Sequence, residues 1–207
     1  MNRTKLSIFL MAAASILILS VTLARDTSTG QAAPDGCMPT SLSQIDEKSF
    51  PVREPAMSSI SDGASLQAVE DNIDIVKLYY ADFSLCPYDG TRESFLKEGG
   101  VTVTIYKEET PYKDGLDFQE QQLAYYASNP NIVADVQPIE VNGHYGVGWG
   151  PYESASIVRL DGEVIENTPM PGTGTVRFYN EEDGTIYYVK ADRSLEEILN
   201  IAKSIQS

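Results

Sequence analysis

Three dipeptides of the type Asn-Gly or Asp-Gly constrain the fold of this chain more than any other feature. They are Asn142-Gly143, Asp161-Gly162 and Asp183-Gly184, and each separates two runs rich in apolar and β-branched residues. Such dipeptides favour type I′ turns, because both central positions of that turn need positive φ. The sequence therefore predicts three β-hairpins in the second half of the chain, with an irregular segment at 168–174 before the last one.

The first half of the chain contains three further runs with the alternation of a half-buried strand. Two of them, at 64–71 and 73–82, are expected to pair around a turn near Asp71-Asn72. The third begins after Gly99-Gly100 and extends over 101–106. The residues expected on one face of the second run are Val76, Leu78 and Tyr80.

Helical spacing replaces strand alternation in the middle of the chain. Asp117 is expected to cap a helix over 117–128, with Glu120 at its third position, and Asn129-Pro130 ends the segment. The residues expected to share one face of this helix are Phe118, Gln122, Tyr125 and Tyr126.

A second helix is expected over 194–206, where Ser194 caps the first turn and Glu197 completes the capping box. Its apolar stripe needs a partner, and the sheet is available. The stripe consists of Leu195, Ile198, Leu199, Ala202 and Ile205. Together these patterns predict an α+β fold, a curved and mainly antiparallel sheet of hairpins with one mid-chain helix and a C-terminal amphipathic helix packed on it.

Residues 1–25 have the composition of an export signal. Arg3 and Lys5 precede an apolar run of 17 residues, Ile8 to Ala24. This length suits both a cleaved signal peptide and an uncleaved membrane anchor, so both stay open. The basic residues hold the N-terminus in the cytoplasm, which predicts an extracytoplasmic protein that is membrane-anchored or secreted. A flexible linker at 26–45 and one domain at 46–207 are expected to follow, with folding beginning between about 42 and 50.

The exported part is strongly acidic. The whole chain has a net charge of −15, and without Arg3, Lys5 and Arg25 it keeps 12 basic residues against 30 acidic ones, a net charge of −18. Such a surface repels nucleic acid and anionic lipid headgroups, so neither is an expected partner.

The stretch VNGHYGVGWGPY at 141–152 holds the only His and the only Trp of the chain. Its glycines alternate with large residues, so one strand face is nearly bare. A phosphate-binding loop would need a helix directly after its glycines, and Pro151 follows instead. A bare face allows a backbone, a ring or a ligand to approach closely, or the sheet to curve. The residues expected to contact a ligand are His144, Tyr145 and Trp149.

No catalytic or metal-binding constellation emerges from the sequence. A Ser-His-Asp triad would require His144, which lies beside a hairpin turn. One His and two Cys are too few ligands for zinc without several carboxylates. Acidic residues such as Glu108, Glu153 and Glu166 leave a carboxylate-based hydrolase open. We therefore predict no catalytic residue, metal or cofactor.

Tyrosine is abundant, with 12 residues, and several of them form doublets. Each doublet is expected to place one ring on each face of its element, which gives core area on one side and a potential recognition surface on the other. The doublets are Tyr79-Tyr80, Tyr125-Tyr126 and Tyr187-Tyr188.

The C-terminal hairpin and helix resemble a prokaryotic extracytoplasmic family catalogued as domain of unknown function 4367. The resemblance covers about residues 50–206, and Ile139 to Trp149 is similar to a hairpin of that family. One departure is Val176-Arg177-Phe178, where the family usually has a Trp. The matching positions of the final hairpin and helix are Tyr188, Ser194, Leu195, Glu196, Glu197, Ile198, Leu199, Ile201, Ala202, Lys203, Ser204 and Ile205. Those of the opening strands are Gly63, Leu66, Val69, Val76, Leu78 and Tyr80.

The resemblance implies no catalytic residues. Members of that family are commonly outer domains attached to a membrane helix, and some resemble anti-sigma factors. We therefore expect a non-enzymatic binding or sensing module for an apolar ligand or a protein partner. A structural protein of the cell envelope and, less favoured, the carboxylate-based hydrolase are the alternatives.

Cys37 and Cys86 both lie in the exported part, where an oxidising environment favours one disulfide. The bond would close a loop of about 50 residues and stabilise the fold by up to about 4 kcal/mol. Alkylation of the unreduced, denatured protein should therefore leave its mass unchanged. A mass increase of two alkyl groups would show free thiols instead.

Overall fold

In the part of the chain that the structure describes, every strand pair of the main sheet is antiparallel. The computed structural model describes residues 41–45, 47–85, 92–108, 112–128, 134–160 and 163–205. The strands are β1 (Ser65–Asn72), β2 (Ile75–Ala81), β3 (Val101–Lys107), β4 (Gln137–Val141), β5 (His144–Trp149), β6 (Tyr152–Leu160), β7 (Glu163–Gly172), β8 (Gly174–Asn180) and β9 (Thr185–Ala191). Seven of them form the main sheet in the order β1-β2-β3-β9-β8-β5-β4, and β6 pairs with β7 in a separate ribbon.

Three helices accompany the strands among the described residues. They are α1 (Arg92–Lys97), α2 (Gly115–Ser128) and α3 (Leu195–Lys203), and short 3₁₀ turns lie at Leu42–Gln44 and Met57–Ser59. The predicted α+β class, with its mid-chain and C-terminal helices, is confirmed. The short helix α1 was not predicted. Leu42 and Ile45 already pack against the core, inside the segment assigned to the linker.

The predicted hairpins form where the turn dipeptides stand. Asn142 and Gly143 have φ of 53° and 88°, as a type I′ turn requires, and Val141 pairs with His144. Gly184, with φ of 71°, lies in the turn between β8 and β9. In the middle hairpin Leu160 pairs with Glu163, and the turn dipeptide itself lies outside the described residues.

The first turn lies two residues later than predicted. Asp71 pairs with Val76 and Asn72 with Ile75, so both residues continue the β1–β2 ladder and the turn falls at Ile73-Asp74. Lys48 explains the shift, because its ammonium pairs with the Asp71 carboxylate and donates to the Asn72 carbonyl at 2.7 Å. These tertiary contacts stabilise two turn-forming residues in a strand.

Helix α2 begins earlier than predicted because a different aspartate caps it. The Asp114 carboxylate accepts from the Asp117 N–H at 2.8 Å, while Asp117 accepts from the Lys113 N–H at 3.0 Å. Asp117 thus serves as the third residue of the helix, and its predicted role as the cap is wrong. Tyr125, expected on the shared face, is 56% exposed.

The segment 168–172 belongs to β7, so its predicted irregularity is wrong. Ala155 pairs with Pro169 and Glu153 with Pro171. Two prolines at alternate positions fit the outer edge of a two-stranded ribbon, where the backbone N–H has no ladder partner to lose.

Helix α3 covers one face of the main sheet, and helix α2 together with the short helix α1 covers the other. On the α3 face, alternate strand residues form an apolar core with Ile198 and Ile201. Val76, Leu78 and Tyr80 share this face, as predicted, and all three are fully buried. On the α2 face, Phe118 packs on Tyr179 and Ile186. The strand residues of the α3 face are Val76, Leu78, Tyr80, Val101, Val103, Ile105, Val176, Phe178, Tyr187 and Val189. Those of the α2 face are Lys77, Tyr79, Thr102, Thr104, Tyr106, Thr175, Arg177, Tyr179, Ile186, Tyr188 and Lys190.

The predicted cap of helix α3 is confirmed. The Ser194 hydroxyl accepts from the Glu197 N–H at 3.4 Å, and the Glu197 carboxylate accepts from the Ser194 N–H at 3.0 Å. Full burial of an aliphatic side chain contributes about 1.5–3 kcal/mol, so the apolar stripe fixes this helix on the sheet. Every residue of the predicted stripe is buried or packs against the core.

The glycines of β5 serve close packing. A Cβ atom on Gly146 would lie 2.2 Å from the Arg177 carbonyl oxygen in β8, and one on Gly148 would lie 2.7 Å from a methyl group of Leu195 in α3. The bare strand face therefore admits a neighbouring backbone and a helix. This agrees with the close approach predicted from the alternating glycines.

Gly146→Ala should destabilise the protein by about 1–3 kcal/mol, because the added methyl group meets a backbone atom that cannot move aside. Gly150→Ala is the matched control, since its Cβ would have its nearest contact at 3.6 Å, on the backbone nitrogen of Leu195. We expect the control to stay within about 0.5 kcal/mol of the wild type. Urea unfolding of both variants measures the difference, and equal midpoints would contradict this packing.

Candidate functional site

The three residues predicted to contact a ligand do not form one site. His144 lies on the α3 face of β5, whereas Tyr145 and Trp149 lie on the α2 face. Successive side chains of a strand point to opposite faces of the sheet, so residues separated by one, three or five positions lie on opposite faces. The other two predicted site residues, Cys37 and Cys86, lie outside the described residues.

His144 ends a stack of aromatic rings on the α3 face. Its imidazole lies 6.3 Å from the Phe178 ring, and Phe178 lies 5.0 Å from Tyr187, with nearly parallel planes. A recess of about 10 Å³ beside the stack is bordered by Arg53 and Asn142 as well. This volume holds about one water molecule. The space beside His144 is therefore too small for a ligand larger than a water molecule.

Trp149 and Tyr145 occupy different positions along the α2 face. Trp149 is only 5% exposed and contacts Tyr126 of α2 edge to face at 4.9 Å. Its indole N–H has no hydrogen-bond partner among the described residues. Tyr145 is 39% exposed and lies beside Gly115 at the start of α2.

Helix α2 is held on this face by buried glutamines. The Gln119 amide donates to the carbonyls of Ile139 at 2.9 Å and Gly146 at 2.6 Å, which are paired residues of β4 and β5. Gln122 accepts from Arg177 and is 6% exposed. Polar docking of this kind requires each amide to be satisfied, because a buried unpaired amide costs about 1–3 kcal/mol.

Arg177 lies at the centre of a cluster of aromatic residues beneath α2. Its guanidinium donates to the Tyr106 hydroxyl and to the Gln122 amide oxygen, and its side chain is 16% exposed. The rings of Tyr106 and Phe118 lie 5.7 and 5.5 Å from the guanidinium carbon. Among the described residues, its ion-pair partner is Glu108 at 3.9 Å, itself 38% exposed.

The hydroxyl groups around Arg177 stay protonated. Burial raises the pKa of Tyr106 to about 12, although the Arg177 guanidinium opposes this shift. Burial also raises the pKa of Tyr126. Burial lowers the pKa of Arg177, but the neighbouring Tyr106 and Tyr126 outweigh this effect, and the net pKa is raised. The guanidinium is therefore hydrogen-bonded to neutral oxygens of Tyr106 and Gln122, with the Glu108 carboxylate farther away at 3.9 Å.

Two more cations pair with tyrosine rings on the same face. The Lys77 ammonium lies 5.3 Å from the Tyr79 ring, and the Lys190 ammonium lies 4.6 Å from the Tyr188 ring. Each pair consists of residues two apart on one strand, so both members share a face. We call this surface the cation–tyrosine strip. Its residues are Lys77, Tyr79, Tyr106, Arg177, Tyr188 and Lys190.

Strand register aligns the strip across the sheet. Lys77 pairs with Thr104, Thr104 with Tyr188, and Tyr188 with Arg177, so one row crosses β2, β3, β9 and β8. The next row contains Tyr79 and Lys190 and reaches Trp149 through β8. Four neighbouring strands span about 14 Å.

The tyrosine doublets predicted part of this surface. Tyr80 and Tyr187 are 0% and 1% exposed, while Tyr79 and Tyr188 are half-buried on the opposite face. The sequence could also have indicated that Lys77 lies beside Tyr79 and Lys190 beside Tyr188, because residues two apart on a strand share a face. No such signal exists for Arg177 and Tyr106, because 71 residues separate them.

The described residues contain no group of three or more His, Cys, Asp or Glu side chains able to hold a metal ion. Within the same residues, none of the helices has the length and apolar character needed to cross a membrane. The apolar run at 8–24 lies outside this part of the chain.

No protein-family model, no curated protein and no solved structure matches this chain.

The raised pKa of Tyr106 predicts a loss of stability at alkaline pH. The folded state holds this proton more tightly than the unfolded state, so its contribution is complete below about pH 10 and is lost as pH rises towards 12. Relative to Tyr106→Phe, the wild type should lose about 2 kcal/mol more between pH 9 and pH 12. Urea unfolding at several pH values tests this, and parallel losses in both proteins would refute it.

Proposed function

We propose that this protein is a non-enzymatic extracytoplasmic binding module whose ligand surface is the cation–tyrosine strip. The observation that carries the proposal is the repetition of one arrangement, a cation over a tyrosine ring, three times on one sheet face. Lys77 also pairs with Glu70 at 2.8 Å and Arg177 with Glu108 at 3.9 Å, so the strip holds its cations in fixed positions beside acidic groups. In a chain with a net charge of −15, such an arrangement on one face favours a specific ligand.

The chemistry of the strip favours an anionic polysaccharide. Tyrosine rings supply flat apolar surface, the contact expected from the sequence, and sugar rings present a matching flat face. Lysine side chains add hydrogen bonds to carboxylate or phosphate groups. Helix α2 covers Arg177, and the row from Lys77 to Tyr188 crosses three neighbouring strands, about 10 Å. A row of this length suits an extended chain better than a single small molecule.

The proposal includes an exported location. Residues 1–25 supply the export signal, and residues 8–24 anchor the domain or are removed with the signal. Such a location agrees with the outer domains of the family that the C-terminal helix resembles. It places the strip where polysaccharides of the cell envelope occur.

Full-length protein in detergent micelles should bind alginate, a polymer of sugar acids, and should not bind neutral dextran. Lys190→Ala should weaken alginate binding about 5- to 10-fold, because one charged hydrogen bond is lost. Tyr188→Ala should weaken it to a similar extent through loss of the stacking ring. Lys203→Ala is the matched control, since it removes the same charge from an exposed position at the end of α3.

Calorimetric titration at low and moderate salt measures these affinities. Equal losses from Lys190→Ala and Lys203→Ala would indicate nonspecific charge attraction and contradict the strip as the site. Poly-L-glutamate serves as the protein-like competitor. If it binds as tightly as alginate, the ligand class is acidic protein and the polysaccharide proposal is wrong.

A further inference from the structure

A second, separate cleft lies between the extended segment 53–56 and the C-terminal end of α3. Its volume is about 340 Å³, and it is lined by Arg53, Glu54, Pro55, Ala56 and Ser204. This volume is at the small end of the range of about 300–1,000 Å³ for ligand sites. The Ala56 N–H donates to the Ser204 hydroxyl at 3.0 Å, which ties the two walls together.

Among the described residues, one edge of the Arg53 guanidinium has no protein partner. Its Nη1 donates to the Asp183 carboxylate at 2.8 Å and to the Tyr187 hydroxyl at 3.4 Å. In the described part of the chain these are its hydrogen bonds, so Nε and Nη2 have none. Asp183 and Tyr187 therefore fix the orientation of a side chain whose other edge matches the geometry of a carboxylate.

Glu54 supplies the opposite charge in the same cleft. Its Oε1 accepts from the Tyr80 hydroxyl at 2.9 Å, and Tyr80 is fully buried in the core. The carboxylate is thus held by a rigid partner, while Oε2 has no hydrogen-bond partner among the described residues. A cation and an anion from adjacent residues line one small volume.

We propose that this cleft binds a small zwitterion, for which a free α-amino acid is the simplest case. Its carboxylate accepts from Nε and Nη2 of Arg53, and its ammonium donates to Glu54. A simple anion would meet the unpaired carboxylate of Glu54, and a simple cation would meet Arg53, so a ligand carrying both charges fits best. Pro55 and Ala56 offer an apolar wall to a small side chain. The site does not depend on the cation–tyrosine strip.

Isothermal titration of the full-length protein with the common L-amino acids tests the proposal, with acetate and methylammonium as single-charge probes. At least one small amino acid should bind, and acetate and methylammonium should bind at least tenfold more weakly. Arg53→Gln and Glu54→Gln should each weaken binding at least tenfold. Arg53→Lys should also weaken it, because an ammonium cannot make the paired hydrogen bonds of a guanidinium.

Ala56→Leu keeps the test decisive if the charge variants fold poorly. This substitution fills the cleft from an exposed position and changes no charge, so it should abolish binding while the circular dichroism spectrum stays native. Lys190→Ala, which tests the strip, should leave amino-acid binding unchanged. Absence of heat with every amino acid, or acetate binding as tight as the best amino acid, would overturn the proposal.

Discussion

The pairing of β3 with β9 is the constraint on which the rest of the structure depends. It joins Val101–Lys107 to Thr185–Ala191 at the centre of the sheet and links the first three strands to the C-terminal hairpins. Closing so long a loop costs conformational entropy, which grows slowly with loop length. Buried pairs such as Val103 with Val189 offset that cost. Without this ladder the cation–tyrosine strip would be divided between two separate pieces.

The two faces of the sheet are stabilised by different kinds of contact. The α3 face is an aliphatic and aromatic core closed by a helix with a clear apolar stripe. The α2 face is held partly by the amides of Gln119 and Gln122 and carries a buried cation. Hydrogen bonds between the α2 amides and the sheet fix one position of the helix, because each buried polar group needs its own partner. Such a face preserves charged groups in defined positions, which the proposed ligand surface requires.

Sequence patterns predicted the local structure well where one interaction dominates. The Asn142-Gly143 turn and the Ser194 capping box depend on a few neighbouring residues, and both form as expected. Prediction failed where a residue outside the recognised pattern took part. Lys48 extends the first hairpin past Asp71, and Asp114 takes the capping role expected of Asp117. The predicted ligand residues were grouped by closeness in sequence, and strand geometry then separated His144 from Trp149.

The sequence by itself determined the hairpins, the C-terminal helix and the acidic character, because these depend on spacing and composition. It also determined that each strand doublet of tyrosines would place one ring outside the core, since alternation along a strand is fixed by backbone geometry. Only the tertiary structure decided which outer rings became neighbours. Arg177 meets Tyr106, and Arg53 meets Asp183 and Tyr187, across long stretches of chain. Such contacts follow from strand order and register, which local spacing does not encode.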